Sequence, residues 1–390
     1  MSLPTITAEI AFATDPAASP TWVDVSAYCQ AFSIRRGRSD ELSQYQAGTA
    51  TVTLDNRDRR FDPTYTDGAY YPNVRPMRRL RISATWSAVT YRLFSGYVEG
   101  WPQSYGVTDA TTTVTASDAF AVLGLTRLTD SFAAQDEAAR VAAVLDAAGW
   151  PSGERNLLGG VSPLQAVTLT STAALDHLQT VAASTNARLF VAGDGDVTWI
   201  SRHAINLGDY ASSAATYGEA AGELPYSDIT VGYGIEQVYN SVRVEREGGT
   251  AQTASDATSI ARYYTRTLNQ TGLVIASDHE SEDAAVWLLA KYKEPAVRVT
   301  AMSLDPEGDD ALWPGVLGYD LGKRLTVRRR PVGDPTEVIE QVSHLEAISH
   351  DWIAGAGTWR TSWGLSPAEG AQTYWILGTG ALDSTTVLHY

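Results

Sequence analysis

The chain has 390 residues, 44% of them hydrophobic and only 19% charged, a composition that excludes a disordered chain and predicts two to four globular domains. Its net charge of −16 argues against a general nucleic-acid binder, which would need Lys and Arg against phosphates. Residues 1–102 are close to neutral at +1, so the remainder carries −17. That excess serves solubility, or it lines a lumen that repels DNA and lets it slide. The 11 Trp and 19 Tyr outnumber the 7 Phe, which suits β-rich cores with aromatic cross-strand pairs, or surfaces buried against another chain.

The elements follow in chain order. Thr5 to Phe12, Thr49 to Leu54, Arg79 to Ser83, Tyr91 to Val98 and Thr111 to Thr115 alternate at period two, as half-buried strands do. A long aromatic loop from Phe61 through Tyr65 to Pro72 separates two of them. The start MSLPTITAEI has no basic, apolar leader, so no secretory signal is expected. Cys29, the single cysteine, allows neither an intramolecular disulfide nor a cysteine zinc site, and its apolar flanks predict burial. No run approaches 18 apolar residues, so no membrane-spanning helix is expected.

At residue 117 the character changes. Arg140 to Ala148 has helical spacing, with Val141, Val144, Leu145 and Ala148 on one face and Gly149 and Pro151 as stop signals. A second helix is predicted over 172–185, followed by strand Arg188–Val191, the turn Asp194-Gly195-Asp196 and strand Val197–Ile200. Residues 207–225, rich in Gly, Ala and Ser, read as a linker. Strands resume at Asn240–Arg246. They are interrupted by a helix over Glu282–Tyr292 with Ser281 as N-cap and Pro295 as stop, and continue at 297–302, 324–328, 336–348 and 358–363.

Two segments share a layout. Arg79-Leu80-Arg81-Ile82, Leu93 to Trp101 and the strand 111–115 resemble Arg324-Leu325-Thr326-Val327, Val338 to Trp352 and the strand 358–363. Leu80 to Val98 spans 18 residues and Leu325 to Val342 spans 17, so Leu80 pairs with Leu325 and Val98 with Val342 across a one-residue difference. If this is a duplication, three chains present six similar units, matching six-fold symmetry on one side and three-fold on the other.

Motifs for chemistry are missing: no His-Glu-x-x-His, no Gly-x-Ser-x-Gly elbow and no P-loop occurs. Of the histidines 177, 203, 279, 344, 350 and 389, His344 and His350 share a strand face, either as a metal pair or as surface or core side chains. Asp55, Asp58 and Asp62 among Arg57, Arg59 and Arg60 read as a solvated turn of mutual ion pairs, against cation binding or an interface network. Asp305, Glu307, Asp309 and Asp310 are oxygen-rich but fit no calcium-loop spacing. Arg75, Arg78, Arg79 and Arg81 read as an exposed strand edge, against an interface or lumen-facing role. Trp359 and Trp363, beside the Gly-rich 355–357, would be the aromatics of a glycan-binding surface. A paired-carboxylate glycosidase or cell-wall hydrolase has no segment in its favour. We expect no catalytic residue, no metal and no cofactor.

Trp22-Val23-Asp24-Val25-Ser26, Ile34-Arg35-Arg36-Gly37-Arg38, Ala47 to Asn56, Phe61-Asp62-Pro63 and Leu93-Phe94-Ser95-Gly96-Tyr97-Val98 together resemble minor tail proteins of siphophages. Tyr374-Trp375-Ile376-Leu377-Gly378 is similar to the C-terminal end of the same proteins, and the 172–200 unit resembles the small insert of tail hubs. The 26 Arg against 3 Lys agree with a high-GC host. The resemblance implies a β-rich α+β fold with two β-barrel-like tube domains, at 1–116 and 229–366, the latter with one helix. It also implies an inserted α+β domain at 117–206, a linker at 207–228 and a C-terminal extension at 367–390. The implied role is a non-enzymatic virion component made in the host cytoplasm, a homotrimeric hub closing the tail tube. Its partners would be the distal tail protein, the tape-measure protein and fibre or other tip proteins, with genomic DNA passing through its lumen. The alternatives are the hexameric distal tail ring and a host-glycan-binding tail module.

Overall fold

The computed structural model describes residues 3–334 and 336–368, with two-residue strands at Thr373–Tyr374 and Thr386–Val387. Most of the C-terminal extension expected at 367–390, with Trp375 and His389, lies outside the described residues.

The first section forms β1 (Thr5–Ile10), β2 (Cys29–Gly37), β3 (Gln46–Asp55), β4 (Arg79–Trp86), β5 (Val89–Gly100), β6 (Gln103–Tyr105) and β7 (Ala110–Ser117). Period-two alternation works here as the sequence implies: β3 buries Ala50, Val52 and Leu54 while its threonines stay partly or fully exposed. Next come α1 (Ala119–Leu125), α2 (Glu137–Ala147), β8 (Arg155–Leu158), α3 (Ala174–Thr185), β9 (Arg188–Val191) and β10 (Val197–Ile200). α3 ends at Asn186 in the left-handed conformation, φ 53°. The helix-then-hairpin unit forms as expected, with β8 added in parallel to β10.

The third section holds β11 (Asp228–Gly232), β12 (Ser241–Arg246), β13 (Gln252–Ser255), α4 (Ala257–Tyr263), β14 (Thr267–Leu273), α5 (Asp278–Tyr292) and β15 (Arg298–Leu304). It ends with α6 (Trp313–Gly318), β16 (Arg324–Arg329), β17 (Ile339–Ile353) and β18 (Thr358–Pro367). Among the described residues, three α-helices stand where one was expected. α5 begins a turn earlier than expected, because Ser277 and Glu280 form a reciprocal capping box, while Ser281 is buried inside the helix. Within 207–225, a short 3-10 turn at Gly208–Tyr210 and a strand at Thr216–Tyr217 pack this stretch onto β16.

Among the described residues a single 14-stranded sheet runs through the first and third sections, in the order β11-β15-β18-β17-β2-β3-β7-β5-β4-β1, with β16 beside the first half of β17, β6 beside β7, and the two-residue strands Val23–Asp24 beside β1 and Thr216–Tyr217 beside β16. The fold is β-rich α+β, and this sheet is open among the described residues, where two β-barrel-like domains were expected.

The same order occurs twice, as β2-β3-β7-β5-β4 and as β11-β15-β18-β17-β16, with every pair antiparallel. The registers also match. Arg79 faces Tyr97 as Arg324 faces His344, and Gln103 faces Thr112 as His350 faces Thr361. Met77 (φ 64°) donates its N–H to Val98 at 2.6 Å, and Gly322 (φ 81°) donates to Leu345 at 2.7 Å. Val98 therefore corresponds to Leu345 and not to Val342. The tight Ser87-Ala88 turn of the first set is replaced by the longer 330–338 connection in the second.

Candidate functional site

Where the two strand sets meet, the second half of β17 (347–353) pairs with β2 (37–31), and its first half pairs with β16. Between the halves sits Glu346, an extra residue in the β17–β18 ladder, between Leu345 opposite Leu365 and Ala347 opposite Gly364. Such a bulge turns one side chain out of alternation, and this one turns a carboxylate into the interior. Glu346 Oε2 accepts from Arg38 Nε at 2.7 Å and from the Tyr45 hydroxyl at 2.7 Å. Its Oε1 accepts from Arg188 at 3.0 Å and from the Ser366 hydroxyl at 2.5 Å.

The side chains of Glu346, Arg38 and Arg188 are 1%, 10% and 13% exposed, so the cluster is sealed from solvent. Burial alone would push the Glu346 carboxyl up; the two guanidinium groups and the donated hydrogen bonds overcome it and hold the carboxyl well below its usual range. Arg38 is likewise held above its ordinary value, since Glu346 outweighs the burial that would lower it. A buried ion pair of this kind is worth little against an apolar replacement, but it is costly to break from one side. Gly37 fits because it has no Cβ: a Cβ there would stand 2.2 Å from the Glu346 carbonyl oxygen, and its φ is 117°.

Other ion pairs tie further segments to the same place. Glu41 accepts from Lys291 at 2.9 Å and Arg298 at 3.0 Å. Arg36 donates to Asp320 at 2.7 Å and to the Val191 carbonyl at 3.2 Å. A cavity of about 160 Å³ lies beside the cluster, lined in part by Tyr45, Arg188, Trp287, Lys291, Tyr292 and His344. This arrangement is a clamp: it fixes the two strand sets and the 117–206 insert against one another.

The residues singled out from sequence fall mostly elsewhere. His344 Nδ1 donates to the Gly322 carbonyl (3.1 Å), and His350 Nδ1 shares a hydrogen bond with the Thr361 hydroxyl (2.9 Å), each within a separate environment. Burial and nearby arginine charge lower both, His350 to about 3. No group of three or more metal-ligating side chains occurs among the described residues. Trp359 and Trp363 are completely buried, so the glycan surface they were to form does not exist; both belong to an aromatic core with Trp313 and Tyr217.

The Asp55/Asp58/Asp62 turn is a set of local pairs with Arg57, Arg60 and Arg59, and Asp62 also accepts from Tyr105. Of the 305–310 acids, Asp309 accepts from Ala311 N, and Glu307 accepts from the backbone N–H of Trp359. The 75–81 arginines do not form a bare edge. Arg78 is buried and donates to the Thr14 carbonyl, Arg79 pairs with Glu154 and Arg81 with Glu9. Cys29 is buried, and that burial pushes its thiol up to about 12.

Glu346, Arg38 and Arg188 were not singled out from sequence. The signal that finds them is the repeat itself: Val98-Glu99-Gly100 and Leu345-Glu346-Ala347 both place a glutamate between an apolar and a small residue. Glu99 is also a bulge residue, and it also accepts from a serine on the facing strand, Ser117.

No protein-family model matches the chain, and no curated protein matches it. Solved structures do. A tail protein from Neisseria meningitidis MC58 aligns over 94% of this chain and 97% of its own, with TM-score 0.61 and 11% identity. The 43 kDa tail protein of prophage MuSo2 from Shewanella oneidensis aligns over 93% and 98%, with TM-score 0.58 and 12% identity. The half-lidded Francisella PdpA–VgrG complex aligns over 94% of this chain and 58% of that chain, with TM-score 0.50 and 7% identity. The chain has the fold of phage and prophage tail proteins.

Proposed function

We propose that this protein is a structural, non-catalytic subunit of a phage tail tip: a homotrimeric hub that closes the tail tube. It joins the distal tail ring to the tape-measure protein and to fibres or other tip proteins, and it resides in the virion. The observation that carries the reading is the strand order and register that occur twice in one chain. Three chains then supply six equivalent strand sets, which adapts a six-fold tube to a three-fold tip.

On this reading 1–116 and 229–366 are the two tube units, each closing into a barrel-like wall in the assembly. Residues 117–206 form an outer insert, and 207–228 a connection between them. The Glu346 clamp holds the two units of a chain at a fixed angle, as a rigid ring segment requires. Light scattering across a concentration series tests this. A species of three times the 42.0 kDa chain supports the hub. Six copies would instead make it the distal ring, and a monomer at every concentration and on every tail partner retires both readings.

A further inference from the structure

The chain contains one complete interface between its strand sets and both halves of a second. In the complete one, β2 covers the second half of β17, with Ser33 opposite Asp351 and Phe32 opposite Trp352. The matched registers identify the counterparts. β6 with the end of β5 corresponds to the second half of β17, so Ser104 takes the place of Asp351 and Tyr105 that of Trp352. β11 corresponds to β2, so Thr230 takes the place of Ser33 and Ile229 that of Phe32.

Neither counterpart is paired by another strand among the described residues. β6 pairs only with β7 and β11 only with β15, so each keeps an open edge among the described residues. Exposed apolar side chains gather there, with Tyr105 at 59% on one edge and Val231, Tyr233 and Ile235 at 39%, 68% and 51% along the other. Open, partly apolar edges are templates for pairing, and soluble proteins usually blunt them.

We propose that the β11 edge of one copy pairs antiparallel with the β6 edge of the next, Thr230 opposite Ser104 and Ile229 against Tyr105, repeating between chains the β2–β17 contact made within each. This rests on the trimer reading and specifies its contact. The contact is heterologous and joins unlike edges, so it closes only into a ring or a filament. Its chemistry differs from the internal one. The stacked Phe32–Trp352 pair, with ring centroids 5.3 Å apart, becomes Ile229–Tyr105, and the Arg35–Asp351 ion pair at 2.8 Å becomes uncharged Val231–Ser104. The internal joint is thereby the polar clamp, and the joint between chains the neutral one.

The test uses full-length chains carrying Ser104→Cys or Thr230→Cys, mixed and oxidised. Cys29 is buried and stays out of the exchange. Mixing yields a disulfide-linked pair, and a chain carrying both cysteines yields covalently closed trimers. Ser104→Cys mixed with Thr90→Cys, which is exposed at the far end of β5, is the control. Val231→Asp, placing charge on the β11 edge, abolishes the three-chain species while the monomer melts as wild type. Linking no greater than the control overturns the edge assignment. The mass of the untagged wild type then separates the two failures: a trimer without the link means the contact lies elsewhere, and no trimer means the hub reading fails as well.

Discussion

Glu346→Gln measures the clamp against an internal standard, because the same bulge occurs at Glu99. Both glutamates sit at the extra position of a β-bulge and both accept from a serine on the facing strand. They differ in surroundings: the Glu346 side chain is 1% exposed and pairs with both Arg38 and Arg188, whereas Glu99 lies at the surface. Glutamine keeps the size and one acceptor, but it leaves two guanidinium groups buried without their counter-charge and turns an amide donor toward one of them. Breaking a buried pair from one side costs about 3–5 kcal/mol. Glu99→Gln loses one exposed interaction, worth about 0.5–1 kcal/mol. Urea unfolding followed by tryptophan fluorescence reads both, with an unchanged slope certifying that the midpoint shift is a stability change. A cost for Glu346→Gln no greater than that for Glu99→Gln would refute the claim that the cluster is a sealed clamp.

Further expectations follow from the same geometry. His350 is held to about 3 by burial and by Arg36, against an unfolded value near 6.5; unfolding therefore takes up a proton, and stability falls as pH drops below about 6.5. Over pH 6.5 to 5, the stability–pH slope of His350→Gln should be shallower than wild type by about 1 kcal/mol per pH unit on average. Asp118, raised to about 7 by burial against the N–H groups of Phe120 and Gly48, works oppositely: its strain is relieved as pH falls through 7, so Asp118→Asn flattens that gain in the same titration. Gly37→Ala forces a Cβ onto the Glu346 carbonyl oxygen and should cost about 3 kcal/mol or more, read as a lower urea midpoint. Trp363→Ala empties a fully buried site at the centre of β18 and should cost about 3–5 kcal/mol; a glycan-surface tryptophan would cost almost nothing.

Local pattern carried far in this chain. Alternation located β3, β5 and β7, and the turn Asp194-Gly195-Asp196 placed the β9–β10 hairpin, because each depends on neighbours within a few residues. Helix starts were less legible: the Ser277–Glu280 box lay one turn upstream of a second serine with acids behind it, and α4 and α6 are too short to build periodicity. The tryptophans of β18 looked like surface groups because Gly355 and Gly357 flank them, but alternation along β18 turns Trp359, Thr361, Trp363 and Leu365 inward together. The clamp was least visible. Arg38, Arg188 and Glu346 are far apart in sequence, and only the bulge that breaks alternation at Glu346 brings the carboxylate inside. The layout around Leu80 and Leu325 was readable, although its register was not, since the 330–338 connection lengthens the second copy.

The central claim is that three chains form a ring of six equivalent strand sets. Rotational analysis of end-on electron-microscopy averages of the assembled protein tests it most directly. The account predicts rings with true three-fold symmetry and a strong six-fold component on the inner wall, at the mass of three chains. Inner walls with only three-fold modulation, or rings of six whole chains, would contradict it.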